Sequence, residues 1–426
     1  MTYIYGEADE GTIAQLDRCL AVEEGARGVL CADNHLGYSQ PIGAAVAYRD
    51  HISPSGVGYD IGCGNKAVLT NLRADDLEVA SIMDEIAARI SFGIGRVNDQ
   101  PVDHPVLDQI AHAEFRPQRR MIQIARNQLG TVGSGNHYVD LFADEADRVW
   151  VGVHFGSRGF GHKTASGFLA LAAGRQFSDR VPDQEMHSPP VVFAVATELG
   201  QSYIEAMGLA GRYAYAGRDV VLDKVLSILG AESVEEVHNH HNFAWRERHD
   251  GEEFWVIRKG CTPAFPGQRG FVGATMGEQS VILEGTEGAA AGLYSTVHGA
   301  GRVMSRTKAA GKTRWRWSCC DRDCDWFQGA GEHKPGDRAC PRCAHPKIEK
   351  RPQVMSPGLI DFESVQAELA ASGIELRGGA ADEAPGAYKR LDEVLSAHGE
   401  TIRVLHRLRP LGVAMAGAGI EDPYKD

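Results

Sequence analysis

Apolar positions along the chain fall into two rhythms. Short runs rich in β-branched and aromatic residues, "KAVLTNL" (66–72), "RVWVGVH" (148–154), "FWVIRKG" (254–260) and "SVILEG" (280–285), each meet turn chemistry within or just beyond them and predict strands. Longer stretches repeat their apolar residues every three to four positions: "DDLEVASIMDEIAARI" (75–90), and "PVLDQIAHAEFRPQRRMIQIARNQLG" (105–130), which closes on Gly130 as a C-cap would. An alanine-rich third stretch covers 193–230, and "DFESVQAELAASG" (361–373) and "KRLDEVLSAHG" (389–399) predict short capped helices near the C-terminus. Strands and helices follow no strict alternation, and no internal repeat or low-complexity tail interrupts them. The pattern predicts an α+β, complex α/β fold with central sheets flanked by helices, unlike a simple Rossmann chain.

Composition narrows the class. At 43% hydrophobic and 24% charged the chain is an ordinary globular one, and no apolar run approaches the length of a membrane span. The opening "MTYIYGEADEGTIAQLD" has no basic region leading into an apolar one, so no signal peptide is expected. A net charge of −13 argues against a general nucleic-acid coat but leaves room for a local RNA-binding patch. Two segments are locally basic, "FRPQRRMIQIARNQ" and "RVMSRTKAAGKTRWRWS".

The cysteines change the picture more. Of nine, Cys319, Cys320, Cys324, Cys340 and Cys343 crowd one segment, while Cys19, Cys31, Cys63 and Cys261 are scattered, which suits a reducing cytoplasm with metal chemistry and not a secreted disulfide framework. Cys320, Cys324, Cys340 and Cys343 form two close pairs that can close a tetrahedral thiolate cage around a structural Zn2+, with Cys319 able to replace Cys320 and His345 as a spare donor. A closed site of this kind has no open position for substrate. It marks 315–350 as a zinc-ribbon-like module inserted into a larger domain made of 1–314 and 351–426.

Five loops carry the remaining chemistry. "SGVGYDIGCGNKAV" brings Asp60 and Cys63 together, "GTVGSGNHYVDL" ends on Asn136 and His137, and "VGVHFGSRGFGHK" runs from His154 to Arg158. "EEVHNHHNFAWRE" offers His238, His240 and His241 beside Asn242. One thiolate, one carboxylate and several imidazoles make a mixed donor set suited to divalent transition metals, and a thiolate can bridge two ions placed for phosphoryl transfer. In "STVHGAGRVMSR", His298 stands before Gly299, Ala300 and Gly301, small residues that leave backbone N–H groups open to anionic oxygens, with Arg302 adding a forked donor.

Taken in order, "ADNHLGYSQPIG", "GVGYDIGCG", "GTVGSGNH", "HFGSRGFGH", "HHNFA", "RKGCTPAFPGQRG", "HGAGRVMSR" and "DEAPGAYK" resemble the RtcB family of RNA ligases from about residue 30 to residue 413. The resemblance implies a GTP-dependent ligase, assisted by two Mn2+ ions, that joins RNA 3′-phosphate or 2′,3′-cyclic phosphate ends to 5′-hydroxyl ends. His298 would be the guanylylated nucleophile; neutral imidazole is a competent nucleophile near pH 7, its reference pKa being about 6.5. Cys63 would be shared by two metals, with Asp60 and His137 completing one site and His154 and His241 the other. Asn136, Asn242, Thr275, Ser280 and the turn from Gly299 through Ala300 and Gly301 to Arg302 would hold the nucleotide, and Arg158 would lie near the RNA. The implied partners are GTP and RNA with such ends, without a membrane, and with an activating helper protein as a further candidate.

Three departures from the family pattern bear on the nucleotide. Asp140 stands where the family has a longer glutamate, Thr275 lies in "GATMG" where the family reads "PGSMG", and Met415 falls about where a C-terminal lysine is expected, with Lys425 the nearest later lysine. The alternative reading is therefore a divergent paralogue using the same metal centre for nucleic-acid end capping or phosphoester hydrolysis; a non-catalytic RNA-binding protein is a third, opposed by the retention of His298 beside every metal ligand.

Overall fold

The computed structural model describes residues 2–180, 185–329 and 339–418; Lys425 lies outside them. Two sheets dominate. The smaller runs in the order Thr2–Ile4, Arg27–His35, Ile42–Tyr48, Glu252–Lys259, Asn242–His249. The larger runs Arg269–Val272, Ser280–Gly285, Ile402–Gly417, Tyr138–Ala143, Arg148–Phe155, Gly64–Arg73, Ser233–His240, with Glu375–Gly379 added in parallel on Ile402–Gly417. The mixed α/β architecture expected from the apolar rhythms is the one observed, and all four expected strands lie within these sheets.

The helix Glu198–Leu229 packs across the sheets. Thr197 caps its start by accepting from the Gly200 N–H, and Gly230, left-handed at φ +63°, ends it. Its buried face supplies Tyr203, Met207, Ala210 and Tyr213 to one core, and Val221, Leu222 and Val225 to a second beneath the larger sheet. The expected helix over 105–130 is three short ones instead, Pro105–Ala111, Arg116–Arg119 and Ile122–Gln128. Phe115 is extended and Pro117 sits in the first turn of the middle piece, where it has no N–H to continue a longer helix. The expected helix over 75–90 begins only at Val79, after a single 3-10 turn at Ala74–Asp76.

From the larger body a β-hairpin projects, Gly311–Cys319 paired with Ile348–Pro357, carrying the cysteine-rich segment beyond it. Its own buried core is small, formed by Cys319, Cys340 and Ile348 with Trp317, Cys324 and Trp326 against them.

Candidate active site and metal centre

Four neighbouring strands bring the ligand loops to one edge of the larger sheet. Along the order Tyr138–Ala143, Arg148–Phe155, Gly64–Arg73, Ser233–His240, Tyr138 pairs with His154, Gly64 with both Phe155 and His240, and Asn65 with His154. Because the strands are antiparallel, the residue before one strand lies level with the end of the next. His137, His154, Cys63 and His241 therefore converge although they are far apart in sequence. Gly64 permits the approach: a Cβ there would collide with the Asn239 carbonyl. The turn is then tied, His241 N–H donating to the Cys63 carbonyl at 2.8 Å and Gly62 N–H to the Asn242 carbonyl at 2.8 Å.

Two triads share one sulfur. Cys63 Sγ lies 3.3 Å from His154 Nε2 and 3.6 Å from His137 Nε2, His154 Nε2 lies 3.2 Å from His241 Nε2, and His137 Nε2 lies 3.1 Å from Asp60 Oδ2. Ligand atoms of Cys63, His154 and His241 fall within 4.8 Å of one another, as do those of Asp60, Cys63 and His137. His154 Nδ1 donates to the Asn136 carbonyl at 2.8 Å, which fixes the tautomer and leaves Nε2 to coordinate. Burial, reinforced by neighbouring imidazoles, holds His154 and His241 well below the usual imidazole range, so both are neutral donors. Burial pushes the Cys63 thiol up and Asp60 adds to this, while Arg218 works the other way. A thiolate here therefore calls for cations of its own, and this donor set fits two divalent ions held on either side of Cys63.

Arg218, fully buried in the long helix, underpins the loops. Its Nη1 donates to the carbonyls of Gly62 and Phe155 at 2.9 and 2.6 Å, and its Nε donates to His238 Nε2 at 2.8 Å. His240 Nδ1 lies 3.0 Å from the Gly62 carbonyl. His238 and His240 are thus braces behind the centre, outside both triads.

The His298 turn arrives from a separate two-stranded sheet. Ser295–Val297 pairs with Cys261–Pro263, and Cys261 N–H donates to the His241 carbonyl, which sets the His298 and His241 rings with centroids 4.8 Å apart. His298 Nδ1 lies 2.7 Å from Asp33 Oδ2, and the same oxygen accepts the His298 backbone N–H at 3.0 Å. Burial works to raise the Asp33 carboxyl, but the facing His298 holds it below the ordinary carboxylate value, so Asp33 stays ionised and keeps the proton on Nδ1. In the neutral ring the lone pair is then on Nε2. The glycines follow from packing: Gly301 has φ +78° and a Cβ there would collide with the Asp33 backbone, while a Cβ on Gly260 would press on the His298 ring. The sequence did not single out Asp33; the one signal was a carboxylate directly after the apolar run 28–32, a residue type rarely buried without a partner.

Beside His298 opens a cavity of about 550 Å³, lined in part by Asn136, Tyr138, Asp140, Thr275, Arg302 and Met415. Tyr138 pairs with Met415 and Asp140 with Val413 across the sheet, so these side chains share its cavity face. Among the described residues, Tyr138 Oη, Asp140 Oδ1 and Thr275 Oγ1 are buried without a hydrogen-bond partner, polar groups left for a ligand to satisfy. Burial pushes the Asp140 carboxyl well above its ordinary value, with only a backbone N–H at Ala414 opposing it.

Other expected nucleotide contacts are placed differently. Ser280 Oγ accepts the Ala274 N–H at 3.0 Å and shapes the loop next to the cavity. Asn242 Oδ1 accepts the Gly260 N–H at 2.7 Å. Neither lines the cavity. Gly299 and Ala300 do line it, but Arg302 spends its donors on the Met304 and Asp382 carbonyls and on Tyr388 Oη, at 3.1, 2.8 and 2.9 Å. Arg158 donates to the Gly93 carbonyl at 2.7 Å and lies nearly buried beside Thr131. Arg306, which the sequence did not single out, does line the cavity and pairs with Asp382 and Glu383 of "DEAPGAYK".

The cysteine cage differs by one residue from expectation. Cys319, Cys324, Cys340 and Cys343 place their sulfurs within 4.8 Å of one another, with 3.5 Å between Cys319 and Cys343 and 3.8 Å between Cys324 and Cys340. Four thiolates at Zn–S distances of about 2.3 Å stand roughly 3.8 Å apart, so the cage fits the ion. Cys320 is excluded because successive strand residues face opposite sides: Cys319 pairs with Ile348 on the cage side, and Cys320 turns away. Cys319→Ser should therefore release the zinc while Cys320→Ser keeps one per chain, measured by mass spectrometry of the purified variants; both should retain GTP labelling.

The family model described as tRNA-splicing ligase RtcB matches residues 18–116 and 108–318. The chain belongs to the RtcB family. It is 33% identical to the RNA-splicing ligase RtcB of Escherichia coli K12 over 306 aligned positions, covering 65% of this chain and 74% of that one. Against the tRNA-splicing ligases RtcB of Thermococcus kodakarensis and Archaeoglobus fulgidus the identity is 29%, over 91% and 90% of this chain and 87% and 86% of theirs. The cavity, the two triads that share Cys63 and the His298 turn lie together in a chain of this family. Among the described residues no helix is long and apolar enough to cross a membrane.

Proposed function

We propose that this RtcB-family ligase uses GTP and Mn2+ to join RNA 3′-phosphate or 2′,3′-cyclic phosphate ends to 5′-hydroxyl ends through a guanylylated His298. The carrying observation is the sharing of Cys63 by two metal-binding triads within ring contact of His298, whose Nδ1 is fixed by Asp33. His298 Nε2 attacks the α-phosphorus of GTP; an N–P bond forms and pyrophosphate leaves. An oxygen of the RNA 3′-phosphate then takes the guanylate from His298. The 5′-hydroxyl attacks the activated 3′-phosphorus, its proton is lost, and GMP departs. A cyclic phosphate end is first hydrolysed to the 3′-phosphate. Two Mn2+ ions, on Asp60, Cys63 and His137 and on Cys63, His154 and His241, would neutralise charge on the reacting phosphates.

In this reading residues 1–314 and 351–426 form the catalytic domain, with 315–350 an inserted zinc module. The nine cysteines, all free thiols, fit a reducing cytoplasm. Incubation with Mn2+ and GTP radiolabelled at the α-phosphate, followed by denaturing electrophoresis and a chase with the two RNA ends, tests it. A labelled chain whose label is lost as the RNA is joined is the expected result.

Asp140, buried beside Met415 with no ion pair among the described residues, favours a second outcome: end capping, seen as label moving to RNA without joining. It also bears on base choice. A charged hydrogen bond is worth about 1.5–3 kcal/mol, roughly ten- to a hundredfold in affinity. Guanine should remain preferred, with weaker GTP binding and measurable use of ATP or dGTP. Met415→Lys should tighten GTP by about tenfold or more, read by competition of unlabelled nucleotides against guanylylation. Strict low-micromolar GTP use, unchanged by the substitution, would mean that another group serves the base.

A further inference from the structure

We infer that the hairpin Gly311–Cys319/Ile348–Pro357 is a docking surface for the single-stranded RNA adjoining the end that enters the cavity. The inference rests on the ligase reading for its substrate. It rests on the hairpin itself for its chemistry.

The hairpin inverts the charge of the molecule. In a chain of net charge −13, its two strands carry Lys312, Arg314, Arg316, Lys350 and Arg351 against Glu349 alone. Lys312, Arg314, Lys350 and Arg351 are exposed. Arg351 meets Glu349, and Arg316 donates to the Gln328 carbonyl, but Lys312, Arg314 and Lys350 have no acidic partner among the described residues.

The strand register sorts the side chains. Arg314 faces Gln353 and Arg316 faces Arg351, so the guanidinium groups share one face. Trp315 stands on the other, where Thr313 faces Val354 and Trp317 faces Lys350. Trp317 is packed on the cysteine cluster, whereas Trp315 is half-exposed and Val354 is 67% exposed, an apolar surface with no core to join. Lys350 shares the face of Trp315, and Arg314 and Arg316 lie across the narrow ribbon, so one strand of RNA can meet a cation for its phosphates and a ring for its bases, the two components of sequence-tolerant single-strand binding.

Position supplies the third argument. Met304, Ser305 and Arg306 line the cavity, Arg306–Ala310 forms one helical turn, and the hairpin begins at Gly311. Its return strand is fastened to that turn, Leu359 and Ile360 N–H groups donating to the Lys308 and Ala309 carbonyls at 3.1 Å. A Cβ on Gly311 or Gly358 would collide with the backbone of the facing segment, so the base is a rigid joint. The basic strip thus starts one helical turn beyond residues that line the cavity, within reach of an RNA strand leading out of it.

The test compares the full-length, metal-loaded protein with a variant carrying Lys312→Ala, Arg314→Ala and Lys350→Ala, and with Trp315→Ala. None of these lies in the catalytic machinery, so GTP labelling and zinc content should be unchanged, which also shows that the variants fold. Anisotropy of a short fluorescein-labelled single-stranded RNA should show about tenfold or greater weakening for the triple variant, and a salt slope lower by about 2. Trp315→Ala should weaken binding about tenfold with the slope unchanged. The charge-conserving Lys312→Arg, Arg314→Lys, Lys350→Arg should bind as wild type. Unchanged RNA affinity and slope in the triple variant would overturn the inference and point to a protein partner for this face. RNA binding that depends on the hairpin in a chain that takes no label from GTP would sink the ligase chemistry and leave the docking surface standing.

Discussion

Replacing His298 by Ala should reduce labelling from GTP to background while leaving both metal-binding triads loaded. The ring stands beside the ligands, in contact with His241, but belongs to neither triad. In the proposed reaction its removal takes away the attacking lone pair and no atom of either triad. The companion variant separates nucleophile from support. Asp33→Asn keeps a side chain of the same shape against Nδ1 but withdraws the negative charge that fixes the proton there. Labelling should slow by roughly a hundredfold or more, the scale on which histidines depend on an orienting carboxylate. Denaturing electrophoresis after a GTP time course reads both, with metal content by mass spectrometry as the control. A label retained by the His298→Ala chain would place the nucleophile elsewhere.

Cys63→Ala should strip both catalytic ions at once, whereas His241→Ala should remove mainly one. A single sulfur lies 3.3 Å from one triad's imidazole and 3.6 Å from the other's. Loss of that charge stabilisation, several kcal/mol, should lower the labelling rate by at least about a thousandfold. Metal-to-protein ratios after gel filtration distinguish the variants, the cysteine cage serving as an internal reference of one zinc. Equal losses from the two substitutions would count against a shared thiolate.

Much of this site could be read before any coordinates, for an identifiable reason. Ligands at strand ends sit in short glycine-rich loops whose composition is dictated locally, as with Asp60 and Cys63 or Asn136 and His137. Their convergence on one sheet edge could not be read, because strand order is set by long-range pairing of Gly64 with both Phe155 and His240. Two expectations fail for identifiable reasons. The segment 105–130 keeps a helical rhythm throughout, but Pro117 removes a donor that a continuous helix needs. Cys319 and Cys320 are equivalent as letters, and only the register against Ile348 says which one faces the cage. Arg302 lines the cavity as a phosphate fork would, and its donors also reach Tyr388 and the Met304 and Asp382 carbonyls, partners that sequence spacing does not reveal. Asp33 and Arg306 went unassigned for the complementary reason, since their partners His298, Asp382 and Glu383 belong to segments brought in by tertiary packing.

Arg218 gives the metal centre an architecture that precedes its ions. One guanidinium, out of reach of water, clasps the carbonyls of Gly62 and Phe155, each next to a ligand residue, and touches both histidines behind them. The entropy of assembling those loops is therefore charged to folding and not to metal uptake. In contrast to zinc domains that collapse when chelated, this centre should behave as a rigid socket that can be emptied and refilled. A chain stripped of such ions by a chelator should keep its fold and take them up again when they are restored.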